Sequence, residues 1–167
     1  MGGGALTIRR SIALLAGFVL LLVGAGCGDG SSNDGITVQT GSLSKAEFIE
    51  KADAICKAGQ AEFVANFTQF SKVHQAELND PAKKEKLLNE IVESLIDPTI
   101  EEDIERISGL GAPNSYAPQV TKFLTALQAR LDEAHEDPSG LVIQHAWKKA
   151  TDVAKAVGMK GCSESFG

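Results

Sequence analysis

Along the chain after residue 43, apolar residues recur at intervals of three and four, which is the spacing of amphipathic helices. A first helix is predicted to begin after Ser44 and run to about Leu78, because Ser44 and Glu47 have the spacing of a capping box. Gly59 interrupts this pattern at a cost of roughly 1 kcal/mol relative to alanine, so we expect another element to approach closely there. The apolar face of this helix is made of Phe48, Ala52, Ile55, Gly59, Phe63, Phe67 and Phe70.

A second helical stretch is predicted between Asp80 and Gly109. Asp80 is placed to be its N-cap, with Pro81 as the first helical residue. Pro98 lacks a backbone N–H, so either it kinks one long helix or Asp97 caps a new one. The apolar face of this stretch is made of Leu88, Ile91, Leu95, Ile100, Ile104 and Ile107.

Two more helices are predicted in the last third of the chain. The third opens at Asn114 and Ser115, and the fourth follows Pro138 and ends at Gly158, a favoured C-cap. Short connections favour antiparallel neighbours, so residues 44–167 are predicted to form an all-α domain, an antiparallel four-helix, up-down bundle. The inward faces are Val120, Leu124, Leu127, Leu131 and Ala134 in the third helix and Ile143, Trp147, Ala150, Ala154 and Val157 in the fourth.

Residues 1–26 have the pattern of an export signal. Arg9 and Arg10 precede about 16 apolar or small residues, and small residues follow at the expected cleavage point. This run is shorter than the roughly 20 residues that a spanning helix needs, although a permanent membrane anchor is the alternative interpretation. The protein is therefore expected to be extracytoplasmic.

The residues that end this signal, Val-Gly-Ala-Gly-Cys at positions 23–27, resemble the lipobox of bacterial lipoproteins. The resemblance implies a lipid on Cys27 that anchors the protein to the outer face of the cell membrane. It departs from the usual pattern at Gly24, where an aliphatic residue is common. The alternative is ordinary signal-peptidase cleavage, which would release a secreted protein.

Residues 27–43 are rich in Gly, Ser, Asn and Asp and are predicted to be a flexible tether. Within this tether, residues 36–40 alternate between apolar and polar side chains like a short strand, without an obvious partner.

The overall charge excludes nucleic acid as a partner. The chain has a net charge of −6, and removal of Arg9 and Arg10 with the signal would leave −8. Binding to a phosphate backbone requires a basic face. Aromatic residues make up only 5% of the chain, which argues against stacking on single strands.

The two remaining cysteines, Cys56 and Cys162, are predicted to form a disulfide in an exported protein. The tail after Gly158 would cross the first helix and place the two Cα atoms within the usual 4.4–6.8 Å. A redox-active or metal-binding pair is the alternative, and it is disfavoured because the chain has no C-x-x-C motif.

Several of these features together resemble a group of small exported proteins and lipoproteins common in actinobacteria. The features are the run KAEFIEKADAIC at residues 45–56, Asp97-Pro98, the segment GLGAP at residues 109–113 and a cysteine shortly after the last helix. The resemblance covers about residues 43–163. It implies the helical fold and the exported location, and it implies no activity.

Motifs for chemistry are missing, so the protein is not expected to be an enzyme or to need a cofactor. The sequence has no nucleophile elbow, zinc-protease motif, phosphate loop or dinucleotide fingerprint. The pairs His74–Glu77 and Asp132–His135 do not have the Glu-x-x-His order of a di-metal bundle, so no metal site is expected. The acidic run at residues 101–105 is interpreted as a solvated helix face rather than a calcium site.

Two functional classes remain. The first is a non-catalytic binding or interaction protein of the cell envelope, with an unidentified envelope protein or small ligand as its partner. The second is a carrier of a small apolar ligand, for which the stripe Phe63, Phe67 and Phe70 would line a pocket rather than the core. A cavity of about 300 Å³ or more lined by this stripe would favour the carrier, and an exposed apolar patch over a solid core would favour the interaction protein.

Overall fold

The computed structural model describes residues 35–142 and 146–166. The predicted export signal, Cys27, the first part of the tether and Ile143 lie outside these residues. The described part is mostly helical and contains no strand, which confirms the all-α prediction. Its helices are α1 (Lys45–Val73), α2 (Gln75–Leu78), α3 (Lys84–Ile91), α4 (Asp97–Ser108), α5 (Ala117–Glu136), α6 (Lys148–Val157) and α7 (Lys160–Ser165).

Helix α1 begins where the sequence predicts. The Ser44 hydroxyl accepts a hydrogen bond from the Glu47 N–H at 3.2 Å, and the Ser44 N–H donates to the Glu47 carboxylate at 2.9 Å. These bonds favour the charged carboxylate and lower the pKa of Glu47. The helix ends earlier than predicted: it stops at Val73, and a single further turn, α2, follows His74.

The second stretch contains a π-helical segment, Val92–Ile96, between α3 and α4. Pro98 has no N–H to donate to a carbonyl in the preceding turn. The chain responds by widening that turn, and the Asp97 N–H bonds to the Val92 carbonyl, the i→i+5 pattern of a π-helix. Pro98 therefore neither breaks the stretch nor starts a newly capped helix, and the helical path continues from Lys84 to Ser108.

The chain after α5 holds one element that was not predicted. Gly158 ends α6 in the left-handed conformation with φ of 91°, as expected of a C-cap. Instead of a tail, the next residues form α7, which carries Cys162. The Tyr116 hydroxyl donates a 2.7 Å hydrogen bond to the Val157 carbonyl, a buried acceptor in the last turn of α6 that has no partner within the helix. Burial raises the pKa of Tyr116 to about 12.

The hydrophobic core lies among five helices. Helix α1 packs against α4 and α7, while α5 packs against α4 and α6. Phe48 of α1 meets the Tyr116 ring edge to face, with ring centroids 5.7 Å apart. The largest fully buried apolar side chains are Phe48, Ile107, Tyr116, Phe123, Leu124, Leu127, Leu131 and Met159.

The segment before α1 is part of the folded structure. The Gln39 N–H donates to the Ser108 carbonyl, and Gln39 and Gly41 exchange backbone bonds of 2.8 and 2.9 Å with Ala112. Val38 is buried. A side chain at Gly41 would come within 2.9 Å of the Gly111 backbone, so the close approach requires glycine. Residues 36–43, which the sequence assigned to the tether, therefore belong in part to the fold, and residues 36–40 find a partner that pattern alone did not reveal.

Candidate functional site

The disulfide between Cys56 and Cys162 is confirmed, with Cα atoms 5.0 Å apart. Both cysteines are fully buried. Asp53, one turn before Cys56 on α1, accepts a 3.0 Å hydrogen bond from the Cys162 N–H. It thereby satisfies one of the unpaired N–H groups in the first turn of α7. The pair has a structural role: it fixes α7 across α1.

The phenylalanine stripe does not act as a unit. Phe63 and Phe67 stack on each other, with ring centroids 5.8 Å apart, and both line a groove on the surface. Phe70 instead stacks on the His74 ring at 4.3 Å and is not among the residues that line the groove. Phe67 is 37% exposed, so core packing does not account for it.

We define the main chamber of the apolar groove as the space between α1, α3, the π-helical segment and Trp147. It has a volume of about 450 Å³. Small-molecule sites typically occupy 300–1,000 Å³. The chamber is lined by Phe63, Phe67, Leu78, Lys84, Leu87, Leu88, Ile91, Ile96 and Trp147.

We call a second, neighbouring space the side chamber. It adjoins the main chamber, with which it shares the lining residues Phe63, Ile96 and Trp147. Its volume is about 270 Å³. Phe166, just after α7, forms one wall and stacks on Trp147 with ring centroids 5.8 Å apart. The other lining residues are Gln60, Val64, Thr99, Ile100 and Ser165.

The groove has a buried floor and an exposed rim. Leu87, Ile91 and Ile96 form the floor and are less than a tenth exposed. Val64 and Leu78 at the rim are 54% and 44% exposed. The hydroxyls that line the side chamber, on Thr99 and Ser165, both donate to carbonyls of their own helices. The arrangement is therefore suited to binding an apolar group and does not present an activated nucleophile.

The Arg130 guanidinium also lies over the Trp147 ring. The guanidinium carbon lies 5.9 Å from the centre of the indole ring, within reach of a cation–π interaction. The Arg130 Nη1 donates to Glu133 at 3.2 Å. Arg130 and Phe166 thus fix the orientation of the tryptophan that both chambers share.

Of the two histidine pairs singled out in the sequence, His74–Glu77 forms and Asp132–His135 does not. His135 lies 3.0 Å from the Asp97 carboxylate of α4, whereas Asp132 accepts from Gln128. His74 lies between Glu77 and Glu90 at 3.3 and 3.7 Å. Within residues 35–142 and 146–166, no group of three or more His, Cys, Asp or Glu side chains is arranged to hold a metal ion.

The acidic run at residues 101–105 is not a uniformly solvated face, which corrects the interpretation from sequence. Asp103 is 2% exposed and its Oδ2 atom has no hydrogen-bond partner among the described residues. It packs over Gly59, where an added Cβ would lie 2.7 Å from Asp103 Oδ2, so the predicted close approach at this glycine is confirmed. Burial raises the pKa of Asp103 to about 7.

The sequence carried only a partial signal for the groove. Phe63 and Phe67 belong to the predicted stripe, whereas the pattern places Trp147 on an inward helix face and gives no signal for Phe166. In the structure Trp147 precedes the first turn of α6, and it is only partly buried. No periodicity in one helix could reveal that these residues meet, because they come from three distant segments.

None of the helices in residues 35–142 and 146–166 is long and apolar enough to cross a membrane. Comparison with known proteins finds no matching family model, no matching curated protein and no matching solved structure.

Proposed function

We propose that the protein is a non-catalytic binding protein of the cell envelope, anchored by a lipid on Cys27, and that the apolar groove takes an apolar ligand. The observation that carries the binding role is the main chamber of about 450 Å³, which two phenylalanines of the predicted stripe line. A chamber of this size, lined by part of the stripe, favours the carrier over the interaction protein. The disulfide supports an oxidising compartment, where such bonds persist.

We also infer that α1, the α3–α4 stretch, α5 and α6 form an antiparallel, up-down bundle. The packing of α4 on α5 and of α5 on α6 supports this inference, because neighbours in the chain are then neighbours in space. Such bundles build ligand sites between facing helices, and the apolar groove lies between α1 and α3.

Replacement of Phe67 by alanine is expected to weaken the binding of a neutral apolar ligand such as dodecanol about tenfold, because a large apolar contact is lost from the rim. Trp147 is the only tryptophan of the chain and lines both chambers, so its fluorescence reports occupancy directly. The matched control is Phe70→Ala, which removes the same side chain one turn further along α1 but outside the groove. Equal weakening by the two variants, or no response of Trp147 in the unaltered protein, would contradict the proposed site.

Labelling of producing cells with a radioactive fatty acid is expected to mark the protein, and Cys27→Ala is expected to abolish the label completely. The reason is that the thiol of Cys27 would be the attachment point after export. Absence of label on the unaltered protein would indicate the alternative, a secreted protein released by ordinary signal-peptidase cleavage. The groove proposal would survive that result, since it rests on different residues.

A second candidate function is docking of an envelope protein on the exposed apolar side chains of α1 and α2. Val64, Val73 and Leu78 are 54%, 69% and 44% exposed, more than expected for large apolar residues with no partner. This candidate requires no cavity. Retained binding of a protein partner after Phe67→Ala, without any Trp147 response to dodecanol, would favour it over the carrier.

A further inference from the structure

One charged side chain lies at the apolar groove. Of the nine residues that line the main chamber, eight are apolar and Lys84 alone carries a charge. Lys84 is the first residue of α3 and is exposed. A cation at the mouth of an otherwise apolar groove has a chemical consequence: it distinguishes ligands by their head group while the groove takes their apolar part.

The ammonium of Lys84 is available for such a ligand. Among the described residues it has no carboxylate within ion-pair distance. The neighbouring Lys83 is 3.7 Å from Glu77, whose carboxylate also lies 3.3 Å from the His74 ring. Glu90, one turn from the floor residue Leu87, lies 3.7 Å from His74. Glu77 and Glu90 are thus paired with other side chains, and none of the ion pairs within residues 35–142 and 146–166 includes Lys84.

The shape of the groove favours a chain over a compact ring. The main and side chambers adjoin at Phe63, Ile96 and Trp147, which line both, while Lys84 lines only the main chamber and Phe166 only the side chamber. Each methylene group of a chain that enters such a space gains from removal from water. A compact ligand would fill one chamber and leave the other without an occupant.

We propose that the apolar groove binds a free single-chain anionic amphiphile of the fatty-acid class. Its carboxylate pairs with Lys84, and its chain runs along Phe63 and Trp147 towards Phe166. This inference rests on the proposed function, because it names the ligand class of the same groove. The occupant is a monomeric acid and not a second copy of the chain, since a protein surface would have to supply both a narrow apolar chain and an isolated anion.

The test compares dodecanoate with dodecanol, which has the same chain and no charge, by titration of Trp147 fluorescence in the purified protein. Dodecanoate is expected to bind about threefold more tightly, which is the usual gain from one exposed ion pair. Lys84→Gln is expected to remove this preference, so that dodecanoate and dodecanol bind with equal affinity. Lys86→Gln is the matched control, because it makes the same charge change on α3 at a residue that does not line the groove.

The possible results separate the preference for an anionic head group from the binding of apolar ligands in the groove. Equal affinity for the acid and the alcohol, unaltered by Lys84→Gln, overturns the anionic head group and leaves the groove as a site for neutral apolar ligands. An equal loss in Lys84→Gln and Lys86→Gln shows that overall charge, and not a contact in the groove, attracts the acid, and this also overturns the inference. Absence of any Trp147 response to either ligand overturns the proposed function together with it.

Discussion

Replacement of both Cys56 and Cys162 by alanine is expected to lower the free energy of unfolding by about 4 to 5 kcal/mol. The bond joins residues 106 positions apart, and for a loop of roughly 100 residues the loss of chain entropy in the unfolded state is worth about 4.7 kcal/mol. Domains of this size are commonly stable by only about 5–15 kcal/mol in total. Urea unfolding followed by circular dichroism measures the difference directly.

The control for this variant is Cys27→Ala, which removes the third cysteine and leaves the bridge intact. Its free energy of unfolding is expected to stay within about 0.5 kcal/mol of that of the unaltered protein, since the bond between Cys56 and Cys162 does not involve it. A loss below about 1 kcal/mol in the double variant would contradict the entropic role of the bond. It would mean that α7 is held chiefly by the Asp53 hydrogen bond and by packing.

The disulfide also has a consequence for the apolar groove. Helix α7 has six residues, too few to be stable without tertiary contacts. It is followed directly by Phe166, which stacks on Trp147 and forms a wall of the side chamber. The bond to Cys56 therefore positions part of the binding site as well as stabilising the fold.

The sequence predicts those features that depend on short stretches of chain. The capping box at Ser44 and Glu47, the C-cap at Gly158 and the close approach at Gly59 are all confirmed. The first two depend on residue types whose preference is set by the local backbone: a hydroxyl that can accept from a nearby N–H, and a glycine that tolerates positive φ. The missing Cβ of Gly59 indicates a close approach without revealing its partner, Asp103 of α4. The disulfide was predictable for a different reason, since only two cysteines remained beyond Cys27.

The features that the sequence did not predict depend on contacts between distant segments. Val38 is buried because residues 39–41 find backbone partners at residues 108 and 112, and no local pattern announces that pairing. The widened turn before Asp97 reflects how one helix accommodates Pro98 while both of its ends stay packed. The apolar groove is likewise formed by three segments that no single periodicity connects.

The burial of Asp103 is also set by a contact with a distant segment that the sequence does not reveal. It lies in a run of acids, and the composition of that run favours a solvated face. Its position on the side of α4 that meets Gly59 of α1 places it in the interface instead. Asp103 shares this buried side of α4 with Ile100 and Ile107, three and four positions away, whereas Glu102 lies on the exposed side.

Removal of the Asp103 charge is expected to change how stability depends on pH. Between its ordinary pKa of 3.8 in the unfolded chain and its pKa of about 7 in the folded protein, the folded state holds one more proton. The free energy of unfolding therefore loses this contribution as pH rises through that window. At about 1.4 kcal/mol for each tenfold change in proton affinity, the loss is about 4 kcal/mol. Asp103→Asn cannot titrate, so its stability relative to the unaltered protein is expected to rise by that amount between about pH 4 and pH 8.

Urea unfolding of both proteins across this pH range tests the expectation, and the difference between them cancels the carboxylates that titrate in both. Three charged groups also act on the pKa of Asp103: Arg106 and Glu102 of α4 and Glu62 of α1. All three are exposed to solvent, which weakens their effect, and burial is the largest cause of the raised pKa. Glu102→Gln is the matched control: it removes an exposed acid beside Asp103, and its difference from the unaltered protein is expected to vary by less than about 1 kcal/mol over the same range. If the free energy of unfolding of Asp103→Asn differs from that of the unaltered protein by the same amount at every pH, the expectation is wrong. In that case water or a rearranged side chain would solvate the Asp103 carboxylate in the folded protein, and α1 and α4 would separate slightly at Gly59 to admit it.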